Sequence, residues 1–136
     1  MPRLPFPDQV REFLEKPNPA VMATLRSSGR PVTVPTWYVL DGDRILVNLD
    51  EGRKRLNHLR RDPRVAMSVM DKDDWYTHLS VQGRVAEIKE DPDMADIDRI
   101  ARHYTGQPYS IRDRGRVSVW IEFDRWHGWG AMRHGG

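Results

Sequence analysis

The sequence contains no cysteine. That excludes disulfides and thiolate metal sites, and it fits a cytoplasmic protein in a reducing compartment. Long apolar runs are missing too, and charged residues make up 31% of the chain, so no membrane span is expected. The opening stretch MPRLPFPDQVREFLEK lacks the apolar centre and small-residue cleavage site of a signal peptide, so no secretory leader is expected. A large charge of either sign is absent as well. Lys and Arg number 22 against 20 Asp and Glu, a formal net charge of +2, and a general polyanion binder is therefore not expected. No internal repeat or low-complexity segment breaks up residues 1–136, which read as a single domain.

Catalytic signatures are equally sparse. There is no Gly-x-Ser-x-Gly elbow and no acid pair at a diagnostic position, so no residue is assigned a catalytic role. The five histidines, His58, His78, His103, His127 and His134, include no helical pair and no carboxylate–histidine motif. No metal site is expected.

What is present is segregated charge. Residues 48–64, NLDEGRKRLNHLRRDPR, begin at the end of the apolar run Ile45-Leu46-Val47, turn at Asp50-Glu51-Gly52 and continue as a basic helix over 53–61. From Arg53 to Arg64 six Lys and Arg side chains stand against one acid, Asp62. A strand-to-helix turn followed by Arg-Lys-Arg brings free backbone N–H groups, a positive helix end and guanidinium donors together. Such a turn can cradle a phosphate. The same run also reads as a solvated basic helix face. A nucleic-acid interface on it, with exposed Trp for stacking, is disfavoured by the near-neutral net charge and by the acidic block at 87–98.

The remaining elements follow from pattern. Residues 8–16 read as a short helix with Val10, Phe13 and Leu14 on its buried face. Strands are expected at 20–25, 31–40, 44–49, 65–70, 75–89 and 116–123, with Pro35 demoting the second to an edge or an opening. Gly83 marks a bulge or close approach. Asp91-Pro92 reads as the capped start of a helix that buries Met94, Ile97, Ala101 and Tyr104. The segment 106–115 is a loop, and 124–136 a polar tail. These elements predict a mostly β fold with minor α: a six-stranded antiparallel barrel with short helices, whose first four strands form a meander with one helix inserted. So small a barrel has little interior volume, and a sizeable ligand would lie outside it, under a partner subunit.

Five segments in order carry a resemblance: Ala23-Thr24-Leu25, Gly29-Arg30-Pro31, Gly52-Arg53-Lys54, Leu59-Arg60-Arg61-Asp62-Pro63-Arg64-Val65 and Gly83-Arg84-Val85-Ala86-Glu87. Over about residues 8–130 the chain resembles the flavin-binding split β-barrels of the pyridoxamine 5'-phosphate oxidase-like superfamily. Within it, the chain is most similar to the small oxidoreductases that use the deazaflavin coenzyme F420. The ending Trp126-His127-Gly128-Trp129-Gly130-Ala131-Met132-Arg133 resembles the tail of one mycobacterial branch. It lacks the Arg-rich ending of true pyridoxamine phosphate oxidases. Residues 34–39 also carry no charge where those enzymes place basic residues, so vitamin B6 oxidation is not expected.

The resemblance implies a homodimer with a cofactor in each of two clefts at the subunit interface. Asn48, Arg53 and Lys54 would hold the phosphate, with Asn57 nearby. Val34, Pro35, Thr36 and Trp37 would lie along the ring and bind its polar edge through backbone groups. Trp75, Tyr76 and His78 would line the cleft from the other subunit. Arg55, Arg60 and Arg61 are candidates for the acidic tail of F420, or face water. The implied activity is hydride transfer from reduced F420 to a small conjugated or quinone-like substrate. FMN is the alternative cofactor, and a flavin reductase or oxidase, or a cofactor carrier, the alternative role. His78, Tyr76 or a water would deliver any proton. Trp37 and Trp75 read either as cleft contacts or as core or interface residues, and Trp120 as core. Trp126 and Trp129 are expected to pack on the partner or cap the cleft. Analogy with haem-binding split barrels would bring His127 to haem.

Overall fold

Strands dominate the computed structural model, which describes residues 6–132. The order is α1 (Asp8–Leu14), β1 (Ala20–Leu25), β2 (Pro31–Thr36), β3 (Val39–Asp41), β4 (Arg44–Asp50), α2 (Lys54–Arg61), β5 (Arg64–Met70), β6 (His78–Glu90), α3 (Ala95–Thr105) and β7 (Arg116–Trp129), closed by a 3₁₀ turn at Gly130–Met132. All seven strands join one antiparallel sheet in the order β2-β1-β5-β6-β7-β4-β3. The edge strands β2 and β3 are consecutive in the chain, separated only by Trp37 and Tyr38. Their closeness curls the sheet back on itself as a split barrel.

The expected six strands are therefore seven, and the expected meander is corrected. The predicted strand 31–40 breaks at Trp37-Tyr38, and its halves go to opposite edges. Alternation fails there for a physical reason: Tyr38 and Val39 are both buried, while Trp37 turns out to 38% exposure. Pro35, with no N–H to donate, sits on β2, which among the described residues pairs only with β1.

The barrel interior is filled from alternating positions. Met22, Val47, Leu49, Met67, Val69, Leu79, Val81, Val119 and Ile121 form the core, with Val10, Phe13 and Leu14 of α1 and Leu56 and Leu59 of α2 added to it. A smaller cluster of Val39, Leu46 and Ile100 seats α3 on the outside of β4. Residues 45–50 are consequently buried without a break, because both faces of β4 are covered. At Gly83 the β6–β7 register shifts. A Cβ there would overlap the Glu122 carbonyl oxygen, so the bulge requires glycine.

Three further boundaries differ from expectation. The long strand begins at His78, not at residue 75. Asp71 Oδ1 accepts from the backbone N–H groups of Asp73 and Asp74 at 2.9 and 3.0 Å, and Thr77 Oγ1 donates to Asp74 Oδ2 at 2.9 Å. These bonds wind 71–77 into a turn instead. Helix α3 starts at Ala95, after Met94 in a left-handed conformation (φ 59°). Asp91 still caps it, from farther away: its carboxylate accepts from the Asp96 and Ile97 N–H groups at 3.2 and 3.0 Å. Lastly, β7 runs to Trp129. Residues 124–129 are thus strand, and Trp126, 3% exposed, belongs to the core, not to a cap or a partner contact. Arg133 and His134 lie outside the described residues.

Candidate functional site

The broken strand opens a cleft of about 500 Å³ between the ends of β2 and β4, the start of α2 and the flank of α3. Its floor is Asn48, Leu49 and Asp50. Arg53, Arg55 and Arg116 supply the cations of the lining, and Pro35, Thr36, Trp37, Tyr104 and Tyr109 its apolar and aromatic part, the two meeting where Arg116 lies over Tyr109. The lining thus grades from cationic to aromatic.

The aromatic side is ordered by contacts among its own rings. Trp37 stacks on Tyr104 with centroids 5.2 Å apart and planes 11° from parallel, and Tyr109 meets Trp37 edge-on at 6.5 Å. Tyr104 is fixed from behind, its hydroxyl donating to the Asn18 carbonyl at 2.7 Å and accepting from the Tyr38 N–H at 3.4 Å. Burial pushes the Tyr104 hydroxyl pKa up to about 12. It keeps its proton at neutral pH and serves as a wall, not as a base.

The cationic side is built around Asp50. Arg116 Nη1 donates to Asp50 Oδ1, and Arg53 Nε donates to Oδ2 at 3.2 Å. Arg116 is the buried member. Its Nε donates to Asn48 Oδ1 at 2.8 Å, and its guanidinium lies 4.8 Å from the Tyr109 ring centre. Asn48 is itself committed: its amide donates to Asp91 Oδ2 at 3.1 Å and to Ser118 Oγ at 3.0 Å, and Ser118 donates to Asp96 Oδ2 at 2.7 Å. This chain of bonds ties the cleft floor to the first turn of α3. Arg55 differs from its neighbours. Its Nη1 is buried and has no hydrogen-bond partner among the described residues. Burial, then the charges of Arg53 and Arg116, lower the Arg55 pKa, and Asp50 opposes them. An enclosed N–H of a charged group without an acceptor is costly, and an anion in the cleft would supply the acceptor.

Of the residues singled out in the sequence, Pro35, Thr36, Trp37, Asn48, Arg53 and Arg55 meet in this cleft. Val34 is half-buried one position back, paired with Met22. Lys54, Asn57, Arg60 and Arg61 are exposed on α2, outside the lining. Trp75 and Tyr76 stand out at 77% and 60% exposure, beyond the lining of their own chain's cleft. His78 Nδ1 is 2.9 Å from the Tyr76 carbonyl. His127 is exposed beside Trp129, ring centres 5.7 Å apart, and does not line the cleft. Arg116, Tyr104 and Tyr109 were not read as site residues. Arg116 carries a usable signal, a lone cation opening an apolar strand. Its partners Asn48 and Asp50, however, are 68 and 66 positions away.

The chain matches the family described as pyridoxamine 5'-phosphate oxidase over residues 6–130. Among solved structures it is similar to an F420 reductase, with a TM-score of 0.81 at 28% identity over 89% of this chain and 98% of that one. It is also similar to a conserved hypothetical protein from Mycobacterium tuberculosis, with a TM-score of 0.74 at 25% identity over 98% and 92% of the two chains. A haem storage protein from Vibrio cholerae shares the fold alone, with a TM-score of 0.63 at 14% identity over 90% and 93%.

Proposed function

We propose, for a chain that belongs to the pyridoxamine 5'-phosphate oxidase family, that the cleft binds a phosphate-bearing flavin-type ring. The ring proposed is that of coenzyme F420, used in reduced form to hydrogenate a small conjugated or quinone-like substrate. The observation that carries the reading is one juxtaposition. Arg55, whose Nη1 is buried and unpaired among the described residues, lines the same cleft as the aromatic, proline-bearing edge at 35–37.

The residues present fit such a group. Arg53 and Arg55 would hold the phosphate, with Asn48 beneath them. Among the described residues, strand β2 has a partner on one side only, so backbone groups of residues 34–37 are available to the ring's polar edge. Trp37, stacked on Tyr104, offers an apolar wall. Lys54, Arg60 and Arg61, exposed on α2, would meet an acidic tail reaching out of the cleft. When bound, the deazaflavin supplies a carbon-borne hydride and favours two-electron transfer over reaction with oxygen. The chain's own part is to bind, orient and shield. A homodimer in which Trp75, Tyr76 and His78 reach the partner's cleft belongs to the same proposal, as does a cytoplasmic setting. FMN is the alternative ligand for the same contacts, and likeness to the F420 reductase favours the deazaflavin.

Fluorescence titration of the purified protein with F420 and with FMN tests the reading. Affinity for F420 tighter than about tens of micromolar, roughly −6 to −7 kcal/mol, is expected. Binding of neither would end the proposal, and FMN binding alone would move it to a flavin reductase or oxidase. Turnover with an electron acceptor separates an enzyme from a carrier.

A further inference from the structure

Asp50 is a carboxylate standing where an anionic ligand would be welcome. It is 8% exposed and lines both the main cleft and a second hollow of about 450 Å³ bounded by Glu51, Gly52, Arg53, Arg114 and Gly115. Three guanidiniums converge on it. Arg116 Nη1 holds Oδ1, while Arg53 Nε at 3.2 Å and Arg114 Nη1 at 3.6 Å share Oδ2.

These three contacts are unequal. The Arg116 side chain is 6% exposed and is also bonded to Asn48 Oδ1 and the Asn48 carbonyl. Its place is fixed. The Arg53 and Arg114 side chains are 59% and 64% exposed, and each meets Asp50 through a single nitrogen, leaving further N–H donors for another acceptor. Three guanidiniums thus contact one carboxylate, and Arg55 lines the same cleft. Without Asp50 they would repel one another. A phosphate offers more acceptor oxygens than a carboxylate and can take guanidinium donors in pairs.

We infer that Asp50 is a resident counter-ion: on ligand entry Arg53 and Arg114 exchange it for the ligand's anionic group, while Arg116 keeps it in place. Asp50 thereby sets how strongly the site holds an anion, a role separate from binding the ligand itself. The inference rests on the proposal that this cleft is an anion site.

The test is inorganic phosphate binding by the full-length protein, followed by calorimetry and by thermal stabilisation, in wild type, Asp50→Asn and Arg55→Gln. Asparagine keeps an acceptor for Arg116 but removes the competing charge, so Asp50→Asn is expected to bind phosphate about tenfold more tightly. A purely structural Asp50 would give equal or weaker binding, and that result overturns the inference. If wild type binds no phosphate and Arg55→Gln changes nothing, the anion site itself is wrong and the inference falls with it. Arg114→Gln covers the case in which Asp50→Asn does not fold. It should weaken phosphate binding several-fold at unchanged melting temperature, and unchanged affinity again overturns the exchange.

Discussion

Replacing Arg55 by methionine should move stability and ligand affinity in opposite directions. Arg55 holds a buried, unpartnered Nη1, and both its burial and the nearby charges of Arg53 and Arg116 disfavour its charged form. Methionine preserves an unbranched stem of similar reach and removes the stranded donors. An unsatisfied buried polar group costs about 1–3 kcal/mol, so Arg55→Met should stabilise the ligand-free protein by about 1–2 kcal/mol. For a domain of this size that is a rise in melting temperature of roughly 3–7 °C. The same change removes a charge-assisted contact to phosphate worth about 1.5–3 kcal/mol, a loss of about 10–150-fold in affinity. Urea denaturation without ligand gives the first quantity, and fluorescence titration with F420 or FMN gives the second. A variant that is less stable and binds as well as wild type would refute the assignment, because Arg55 would then be an ordinary packing residue.

Three other perturbations probe the cleft and its supports. Tyr104→Phe should cost about 1–3 kcal/mol in urea denaturation, since it strands the Asn18 carbonyl and the Tyr38 N–H; a change near zero would show that water replaces the hydroxyl. Trp37→Ala should weaken F420 and FMN alike by about two- to tenfold, because an aromatic stack contributes roughly 0.5–1.5 kcal/mol and does not distinguish the two rings; selective loss of one ligand would place Trp37 elsewhere than along the ring. Asp62 has its pKa lowered from 3.8 to about 2, chiefly by the Arg64 side chain and then by the Arg64 N–H. A carboxyl with a depressed folded-state pKa contributes stability that is complete above the unfolded value and lost as pH falls through the folded one. Asp62→Asn should therefore flatten the acid limb of stability between about pH 4 and 2, and an unaltered limb in acid-denaturation curves would contradict the Asp62–Arg64 pairing.

Where burial follows a simple period, the fold was legible in the residues. Ala20–Leu25 and Arg64–Met70 alternate as one-sided strands do, and Pro35 announced an opening. The break at Trp37-Tyr38 was hidden because both halves of 31–41 have strand-like composition. Only Tyr38, turned inward with its neighbour Val39, divides them. The stretch 124–129 conceals its strand for the opposite reason. Its Asp, Arg, His and Gly look like tail, yet Trp126 and Gly128 face inward and the β6 ladder holds the rest. In the site, the local cluster Arg53–Arg55 was visible in the sequence, whereas the partners that orient it were not. Asn48 and Asp50 meet Arg116 only through the β4–β7 pairing, and no local pattern encodes that register.

That pairing also bears on how the protein is made. Asn48 waits for Ser118, 70 positions later in the chain, β4 takes one of its two hydrogen-bonding neighbours from β7, and α3 covers its outer face at Leu46. A ribosome delivering the chain from its N-terminus therefore releases β3 and β4 as a hairpin with an open hydrogen-bonding edge and an uncovered outer face. Such an edge invites pairing with other chains. Long-range closure of this kind is slow compared with hairpin formation, so the barrel and its cleft become complete only once the last strand is out. Truncations within 116–129 should leave no smaller folded core, and the N-terminal half should serve mainly as a sticky intermediate that the final strand rescues.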